Sequence, residues 1–388
     1  MISYSKQFID KSDVDYVKRS LDKDFITQGP LIEKFEKKLC KFFKSNYCIA
    51  VSSGTAGLHL SGMALGWNKD DLILLSANTF VATANAAIYS KAKINLIDID
   101  PETNNIDVYK LEKEIKRNKK KGINISAVVA TDYGGHPCYW QELNNLKKKY
   151  KFKLVNDNCH SIGSTINRNI GYAVKYSDMV VHSYHPVKAF TTGEGGSILT
   201  NNKKYYEFLK KARSHGIVRD YKAQKSNGSW YYDIKSIGYN YRLSEINAAL
   251  GISQLNKLKQ TINKRRLVAK KYNKLFKDLD FFDLPVEKHN YKHSYHLYVL
   301  KFDFEKYKIS KKHFFEYMLK KNIKLQVHYV PLYKFTYFKN KFKFNKKNYK
   351  NCEKFYKSAF SIPNFYEITN KQIEYVSFEI KKYFLNRI

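Results

Sequence analysis

Arginine and acidic residues are both scarce in this sequence, although lysine is abundant. The 388 residues include 70 Lys and Arg but only 35 Asp and Glu, which gives a formal net charge of +35. Only nine of the basic residues are Arg. Because nucleic-acid readers favour the planar, bidentate guanidinium of Arg, we interpret the Lys excess as solvated surface. A basic nucleic-acid-binding protein is therefore the weaker hypothesis.

Cysteine motifs and long apolar runs are also missing. The five Cys are scattered without a CxxC pair, so we expect no zinc ribbon, no disulfide framework and no metal centre. A reducing, cytoplasmic location fits this pattern. The stretch MISYSKQFIDKSD has no apolar signal core, and the chain has no run of about 18 apolar residues, so we expect no membrane span. Apolar residues still make up 43% of the chain, enough for a large core.

Short apolar runs alternate with helical stretches over the first 250 residues. This alternation is typical of an α/β domain with a mostly parallel sheet, and we predict a large domain over 1–250. In such sheets, ligands bind beyond the carboxyl ends of the strands. The predicted strands are 71–75, 94–99, 127–130, 153–157 and 177–182.

The remaining residues, 251–388, are predicted to form a smaller C-terminal α+β domain. An amphipathic helix from about Ser244 to Leu279 leads into it. The pattern further predicts strands at 296–300 and 323–327, helices at 310–321 and 370–385, and a surface loop with helical turns at 333–350.

The most informative segment is 183–197, where Lys188 stands alone among small, polar and Gly residues after an apolar strand. Elsewhere in the chain, Lys residues cluster on helices. One interpretation is a tight turn with an exposed lysine. The other is a Schiff-base lysine, which needs a pKa lowered by burial or by nearby positive charge. Glycines around it would let a cofactor approach the backbone closely.

Two further segments carry weaker signals. Asp157 ends a strand, where an acidic residue is either a turn residue or the partner of a cofactor ring nitrogen. In 51–60, Gly and hydroxyl residues lead into a helix, whose N-terminal amides suit a phosphate or a simple cap. Neither a Walker A sequence nor GxGxxG is present, which disfavours P-loop chemistry and a dinucleotide site.

The order of these segments, with Phe80 between the phosphate-type loop and Asp157, resembles the DegT/DnrJ/EryC1/StrS family of sugar-nucleotide aminotransferases. The resemblance extends from about Tyr4 to the C-terminus, and its most specific parts are 183–197 and 238–251. It implies an α/β fold of the pyridoxal phosphate (PLP)-dependent transferase fold type I, with PLP in the large domain. It also implies a homodimer with shared active sites and glutamate as amino donor.

The resemblance implies roles for individual residues. Lys188 would form the internal aldimine with PLP and move the proton, Asp157 would pair with the pyridinium nitrogen, and His160 would lie near the ring hydroxyl. The other cofactor contacts would be Phe80 against the ring, Gly54, Thr55, Ala56 and Ser183 at the phosphate, and Asn240 from the neighbouring subunit. The sugar-nucleotide pocket would comprise Tyr4, Asp24, Phe25, Ile26, Thr27, Gly54, Ser183, Asn240, Arg242, Gln326, His328, Tyr329 and Pro331.

One branch of the family fits best. Many relatives carry His where this chain has Asp132, and this position favours the branch that aminates a UDP-4-keto-6-deoxy-N-acetylhexosamine to a UDP-4-amino-4,6-dideoxy sugar, in a pseudaminic-acid-type pathway. The family pattern acidic-Asp-Ala-Ala-His/Gln reads Asn-Asp-Asn-Cys-His at 156–160. The Asp and His are kept, whereas their neighbours differ.

Other functions stay open at this level. A UDP-bacillosamine-type or other sugar-nucleotide aminotransferase would differ in pocket shape, and small differences in pocket shape decide such substrates. Relatives that dehydrate sugars carry His at the position of Lys188, so dehydration is disfavoured. The joint presence of Lys188, Asp157 and Ser183 argues against an inactive scaffold.

Overall fold

The computed structural model describes residues 1–388. Its strands are β1 (Tyr47–Val51), β2 (Leu72–Ser76), β3 (Lys93–Ile97), β4 (Ile125–Thr131), β5 (Lys153–Asp157), β6 (Thr165–Ile166), β7 (Met179–Ser183), β8 (Gly196–Thr200), β9 (Ile217–Val218), β10 (Asp233–Ile234), β11 (Phe282–Asp283), β12 (Tyr291–Lys292), β13 (Tyr298–Phe302) and β14 (Ala359–Ile362). Its α-helices are α1 (Lys11–Leu21), α2 (Pro30–Phe43), α3 (Gly54–Ala64), α4 (Val81–Tyr89), α5 (Val108–Lys120), α6 (Trp140–Tyr150), α7 (Tyr172–Tyr176), α8 (Lys203–Ala212), α9 (Tyr221–Asn227), α10 (Glu245–Phe276), α11 (Lys311–Lys320), α12 (Thr336–Lys341), α13 (Lys350–Ser358) and α14 (Asn370–Leu385).

A seven-stranded sheet forms the centre of the molecule, in the order β1-β8-β7-β5-β4-β2-β3. The strands from β3 across to β7 pair in parallel, and β8 pairs antiparallel with both β7 and β1. The predicted α/β fold with a mostly parallel sheet is therefore confirmed. The parallel register brings the carboxyl ends of β4, β5 and β7 to one edge of the sheet.

Helices cover both faces of this sheet. Successive side chains of a strand point to opposite faces, and accordingly Leu74 and Val128 pack in one core cluster while Ile73 and Val129 pack in another. Both faces are buried, as expected for parallel strands. The apolar runs seen in the sequence follow from this two-sided burial.

The helix α10 connects the sheet core to the C-terminal part of the chain. It begins after Ser244, whose side chain accepts a hydrogen bond from the Asn247 amide, a common N-terminal cap. Its 32 residues span about 48 Å. Residues 248–262 pack in the sheet core, and residues 268–276 pack in a separate C-terminal cluster. The domain boundary at 250/251 stays a prediction.

The structure corrects three predictions in the C-terminal part. Residues 323–327 form no strand, because Ile323 makes a single bridge to Ile2 and Gln326 makes one to Ser361, on different partners. The strand predicted at 296–300 lies two residues later, as β13.

The third correction concerns 333–350, which was expected to be a surface loop. It does contain short helical turns, but Tyr333, Phe338 and Tyr349 are buried in the sheet core. The many lysines of this stretch favoured a solvent-exposed interpretation, although its aromatic residues pack in the core.

Among the helices of the structure, none has both the length and the apolar character that a membrane span requires.

Candidate active site

A cavity of about 530 Å³ opens at the carboxyl ends of β4, β5 and β7. It brings together most of the residues that the sequence predicted, although they come from six separate stretches of chain. The predicted residues that line it are Tyr4, Gly54, Thr55, Phe80, Asp157, His160, Ser183, Lys188, Gln326, His328 and Tyr329. A second cavity of about 730 Å³, near Lys301 and Lys350, contains none of them.

Lys188 lies in the loop after β7, where its amide donates to the His185 carbonyl. Burial lowers the pKa of its ammonium group, and Arg265 lowers it as well, whereas Cys159 and Asp157 act in the opposite direction. A lysine with a lowered pKa has more of its nitrogen in the nucleophilic, neutral form. The isolated lysine of the sequence is therefore a cavity residue rather than an exposed turn residue.

Asp157 is the last residue of β5, and a relay of threonine hydroxyls fixes its carboxylate. Thr83 donates to Asp157 Oδ2 at 2.7 Å, and the Cys159 amide donates to Oδ1 at 3.3 Å. The hydroxyls of Thr83 and Thr79, and those of Thr79 and Thr131, are each 2.8 Å apart. Because Thr83 donates its proton to Asp157, it accepts a hydrogen bond from Thr79, and Thr79 in turn accepts one from Thr131.

The N-terminus of α3 forms a cradle on the other side of the cavity. Its first amides have no partner within the helix, and Ser53 satisfies only that of Ala56, at 3.0 Å. The amides of Gly54 and Thr55 thus remain for a ligand. A Cβ on Gly54 would lie 2.9 Å from the Ser183 Cβ, so only glycine fits there. Ala56 itself is buried and does not line the cavity.

Neutral histidines form much of the cavity wall. The Gly134 amide donates to His160 Nδ1 at 3.4 Å, so Nε2 carries the proton and donates to the Tyr329 hydroxyl at 2.7 Å. Burial holds the pKa of His160 and His296 well below the usual range, and it lowers that of His328 to about 3. The rings of His160 and His296 lie 4.5 Å apart. These imidazoles contribute hydrogen bonds, not charge, near neutral pH.

The segment 326–329 forms a further wall of the cavity. Tyr329 donates its amide to Asn78 Oδ1 at 3.2 Å, and its ring centroid is 5.5 Å from that of Phe80. His328 Nδ1 lies 2.8 Å from the Ser361 hydroxyl. Phe80 is half exposed, at 50%, and its side chain lines the cavity.

Six of the remaining predicted residues form an outer group that does not line the cavity: Asp24, Phe25, Ile26, Thr27, Asn240 and Arg242. Thr27 bridges to Ser244, and the Glu245 amide donates to the Ile26 carbonyl. These contacts place the segment 24–27 beside the start of α10. Pro331 follows the cavity-lining segment without reaching the cavity.

Asn240 and Arg242 belong to this outer group. Both contact Ser214, Asn240 by a backbone bridge and Arg242 Nη1 by a 3.3 Å hydrogen bond. Arg242 also bridges to Val51, directly before the cradle. The outer group thus borders the phosphate-type loop from the outside.

Sequence reasoning missed several residues that the structure adds. Thr83 lies one helical turn after Phe80, but no local pattern in the sequence indicates its contact with Asp157. Thr131, at the end of β4, could have been found as a polar strand-end residue. The other unpredicted lining residues are Ser53, Leu58, Ala82, Cys159, His185, Val187, Glu194, His296 and Val327.

The cavity residues fit a PLP molecule. A carboxylate at the sheet edge suits a ring nitrogen, amides at a helix N-terminus suit a phosphate, and a lysine of lowered pKa suits covalent attachment. The volume of about 530 Å³ lies within the range of small-ligand sites.

Comparisons with known proteins agree with this arrangement. The model of the DegT/DnrJ/EryC1/StrS aminotransferase family matches residues 7–381. The UDP-4-amino-4,6-dideoxy-N-acetyl-beta-L-altrosamine transaminase of Campylobacter jejuni subsp. jejuni serotype O:23/36 is 37% identical, over 97% of this chain and 96% of its own length. The protein of the same name from Helicobacter pylori is 31% identical, over 98% and 97%.

Solved structures share the whole architecture. Helicobacter pylori PseC, an aminotransferase involved in the biosynthesis of pseudoaminic acid, superposes with a TM-score of 0.90 at 30% identity, covering 99% of both chains. The protein Spr1654 from Streptococcus pneumoniae, solved in its PMP form, gives a TM-score of 0.90 at 23% identity over 100% of both chains. Its PLP form gives 0.88.

Proposed function

The chain belongs to the DegT/DnrJ/EryC1/StrS aminotransferase family, and on that premise we propose that it transfers the amino group of glutamate to C4 of a UDP-4-keto-6-deoxy-N-acetylhexosamine. The product is a UDP-4-amino-4,6-dideoxy sugar of the pseudaminic acid type. The observation that carries the proposal is the joint placement of Lys188, Asp157 and the Gly54 cradle on one cavity. The names of the Campylobacter and Helicobacter relatives support the choice of sugar.

Family membership implies dependence on PLP, which supplies an electron sink for the bond cleavage at the substrate carbon. In the proposed arrangement, Lys188 would be the covalent attachment point and Asp157 would pair with the ring nitrogen. His160 would lie near the ring hydroxyl, and Phe80 would lie against the ring. Gly54 and Thr55 would supply amides to the phosphate, with Ser183 beside them. Ala56 would contribute less, because its amide is already bonded to Ser53.

Proton transfer at Lys188 Nζ links the two half-reactions. The lowered pKa of Lys188, caused first by burial, allows Nζ to accept a proton from the donor amino acid and later return one to the sugar carbon. Burial lowers the pKa of His160 and of His328, which makes both imidazoles poor proton acceptors and leaves the proton transfer to Lys188.

We propose that the outer group reaches the cavity of a second copy of the chain. It carries large exposed apolar side chains, with Phe25 58% and Ile26 52% accessible, and Trp230 and Ile237 nearby in sequence are 79% accessible. Such exposed apolar surface is typical of a protein interface. In this homodimer, Asn240 would contact the partner's cofactor phosphate.

Arg242 and the segment 24–27 of one copy would likewise complete the sugar-nucleotide pocket of the other copy. Arg242 makes no ion pair with a carboxylate in the chain, and its guanidinium contacts only the Ser214 hydroxyl. An Arg without a carboxylate partner can bind an anionic group of glutamate or of the nucleotide diphosphate.

The proposal is tested by amination assays with glutamate. The purified protein, supplied with PLP, is offered a panel of UDP- and dTDP-4-keto-6-deoxy sugars that includes both C5 epimers, and products are identified by mass spectrometry. We expect 2-oxoglutarate and a 4-amino sugar from the UDP-linked L-arabino epimer. Amination of the opposite C5 epimer alone would replace this substrate with the bacillosamine-type one. No amination of any keto sugar would contradict the proposed reaction.

A further inference from the structure

Arg265 is a buried cation that the reaction described above does not use. It lies in the middle of α10 and is 1% exposed. All its hydrogen bonds go to uncharged oxygens: Nη1 donates to the carbonyls of His296 at 3.1 Å and Asn364 at 2.6 Å, and Nη2 donates to the Ser5 hydroxyl at 3.3 Å. A buried charge without an ion-pair partner is costly, so its presence calls for a role.

The guanidinium also reaches the backbone of the reactive lysine. Nη2 donates to the carbonyl of Val187 at 3.3 Å and lies 3.5 Å from that of Lys188. The Ser5 hydroxyl donates to the same Val187 carbonyl at 3.0 Å. Arg265 therefore ties together the lysine loop, the N-terminal segment and the two C-terminal segments at 296 and 364.

Three of these segments line the cavity. Tyr4 precedes Ser5 and accepts the Asn364 amide at 3.0 Å on its carbonyl, while His296 and Lys188 lie on the cavity themselves. One side chain thus sets the relative positions of residues that come from both ends of the sequence.

The charge of Arg265 persists at neutral pH. Burial lowers its pKa to about 10, and Tyr4 is the one group that opposes this. The adjacent Arg266 differs, because it pairs with Glu287 through two bonds of 2.7 and 3.1 Å. The helix therefore carries two adjacent arginines that can be compared. Arg266 has a carboxylate partner near the surface, whereas Arg265, behind Lys188, has none.

We infer that Arg265 is a positioning residue for Lys188: it holds the backbone on both sides of the lysine, and its unpaired positive charge favours the unprotonated lysine nitrogen. The inference rests on the proposed function, since it concerns the attachment point of PLP. A cation beside a reactive lysine is a known way to keep its nitrogen neutral. The titratable groups that face Lys188 or Arg265 are Tyr4, Asp157, Cys159, His160, His296 and His328.

The test compares Arg265→Gln, Arg265→Lys and the control Arg266→Gln in the PLP-loaded protein. The readout is the pH midpoint of the cofactor's visible absorption band, measured without substrate. Removal of nearby positive charge favours the protonated nitrogen at Lys188, so Arg265→Gln should move the midpoint to higher pH by about one unit. Arg265→Lys keeps the charge and should keep the midpoint, while the loss of the planar fork lowers kcat about tenfold with little change in KM.

Each result has a defined meaning. An Arg265→Gln protein that melts like the wild type and keeps both its midpoint and its kcat overturns the inference. If that variant does not fold, the Arg265→Lys variant decides, because unchanged kcat there excludes the positioning role. An equal shift of the absorption midpoint in Arg266→Gln would also contradict the inference about Arg265. Failure of the wild-type protein to bind PLP at all would instead contradict the proposed function, on which the inference rests.

Discussion

The two walls of the cavity are built in different ways. The sheet wall carries Asp157 and Lys188 at or just after strands whose backbone ladders continue across seven strands. The opposite wall, at 326–329, has only the single bridge at Gln326 and is fixed by side-chain contacts. A ladder fixes residues through many coupled bonds, whereas a side-chain contact can be removed singly.

This difference in support predicts different roles for the two walls in the reaction. The sheet wall holds the groups that make and break bonds, and these need the most rigid support. The wall at 326–329 holds Tyr329, which contacts the sheet wall through His160, and His328, which contacts Ser361; both side chains line the cavity. Substitutions in the sheet wall should abolish the reaction, whereas substitutions in the wall at 326–329 should change kcat/KM only moderately.

The largest expected effect is that of Lys188→Ala. Without the amino group there is neither covalent attachment nor a base, so kcat/KM should fall by about 10⁴-fold or more, and the visible absorption band should be lost on purification. Lys203→Ala, at an exposed position on α8, is the matched control and should match the wild type. Turnover of Lys188→Ala near the wild-type rate would remove the assigned role.

The second largest expected effect is on the stability of the protein, and it concerns Asp132, a carboxylate behind the sheet wall. Asp132 is fully buried, and its Oδ1 accepts bonds from the Cys138 amide at 2.7 Å and the Trp140 indole at 2.8 Å. Burial raises its pKa, and these bonds act in the opposite direction. Its Oδ2 accepts from Tyr172, Asn156 and Asn158.

We expect Asp132→Asn to lower the free energy of unfolding by about 3 kcal/mol. The new amide would direct its own N–H groups at a site that offers only donors. Urea denaturation measures the change, and Asp70→Asn, at an exposed position, is the control. Equal stability of the two variants would show that the acceptor network does not support the sheet wall.

The Asp132 network also gives the two asparagines beside Asp157 a structural role. Asn156 and Asn158 both donate to Asp132 Oδ2, at 3.2 and 2.8 Å. The altered neighbours of Asp157 are therefore a consistent set of partners.

Sequence reasoning succeeded where local pattern sets position. The strand Lys153–Asp157 was predicted with the bounds that the structure has, and Asp157 and Lys188 followed from their places at and after strands. Reasoning failed at 323–327, whose apolar residues read as a strand. There the bridges to Ile2 and Ser361 join distant parts of the chain, and no local periodicity encodes such contacts.

The same limit applies to Thr83 and Arg265. Thr83 is an ordinary helix residue in the sequence, and only the tertiary fold brings its hydroxyl to Asp157, 74 residues along the chain. Arg265 sits in a Lys- and Arg-rich helix, where composition suggests solvent exposure. Its hydrogen-bond partners all lie 31 or more residues away along the chain.

The smallest expected effect is that of Tyr329→Phe, in the wall at 326–329. The variant removes the oxygen that accepts the His160 Nε2 proton at 2.7 Å and leaves one buried donor unpaired, at a cost of about 1 kcal/mol. We expect kcat/KM for the keto sugar to fall about fivefold, while the visible band and the Lys188 attachment persist. Tyr109→Phe, at a position 77% exposed, is the control. A loss as large as that of Lys188→Ala would mean that Tyr329 takes part in the chemistry, and the two walls would no longer differ in kind.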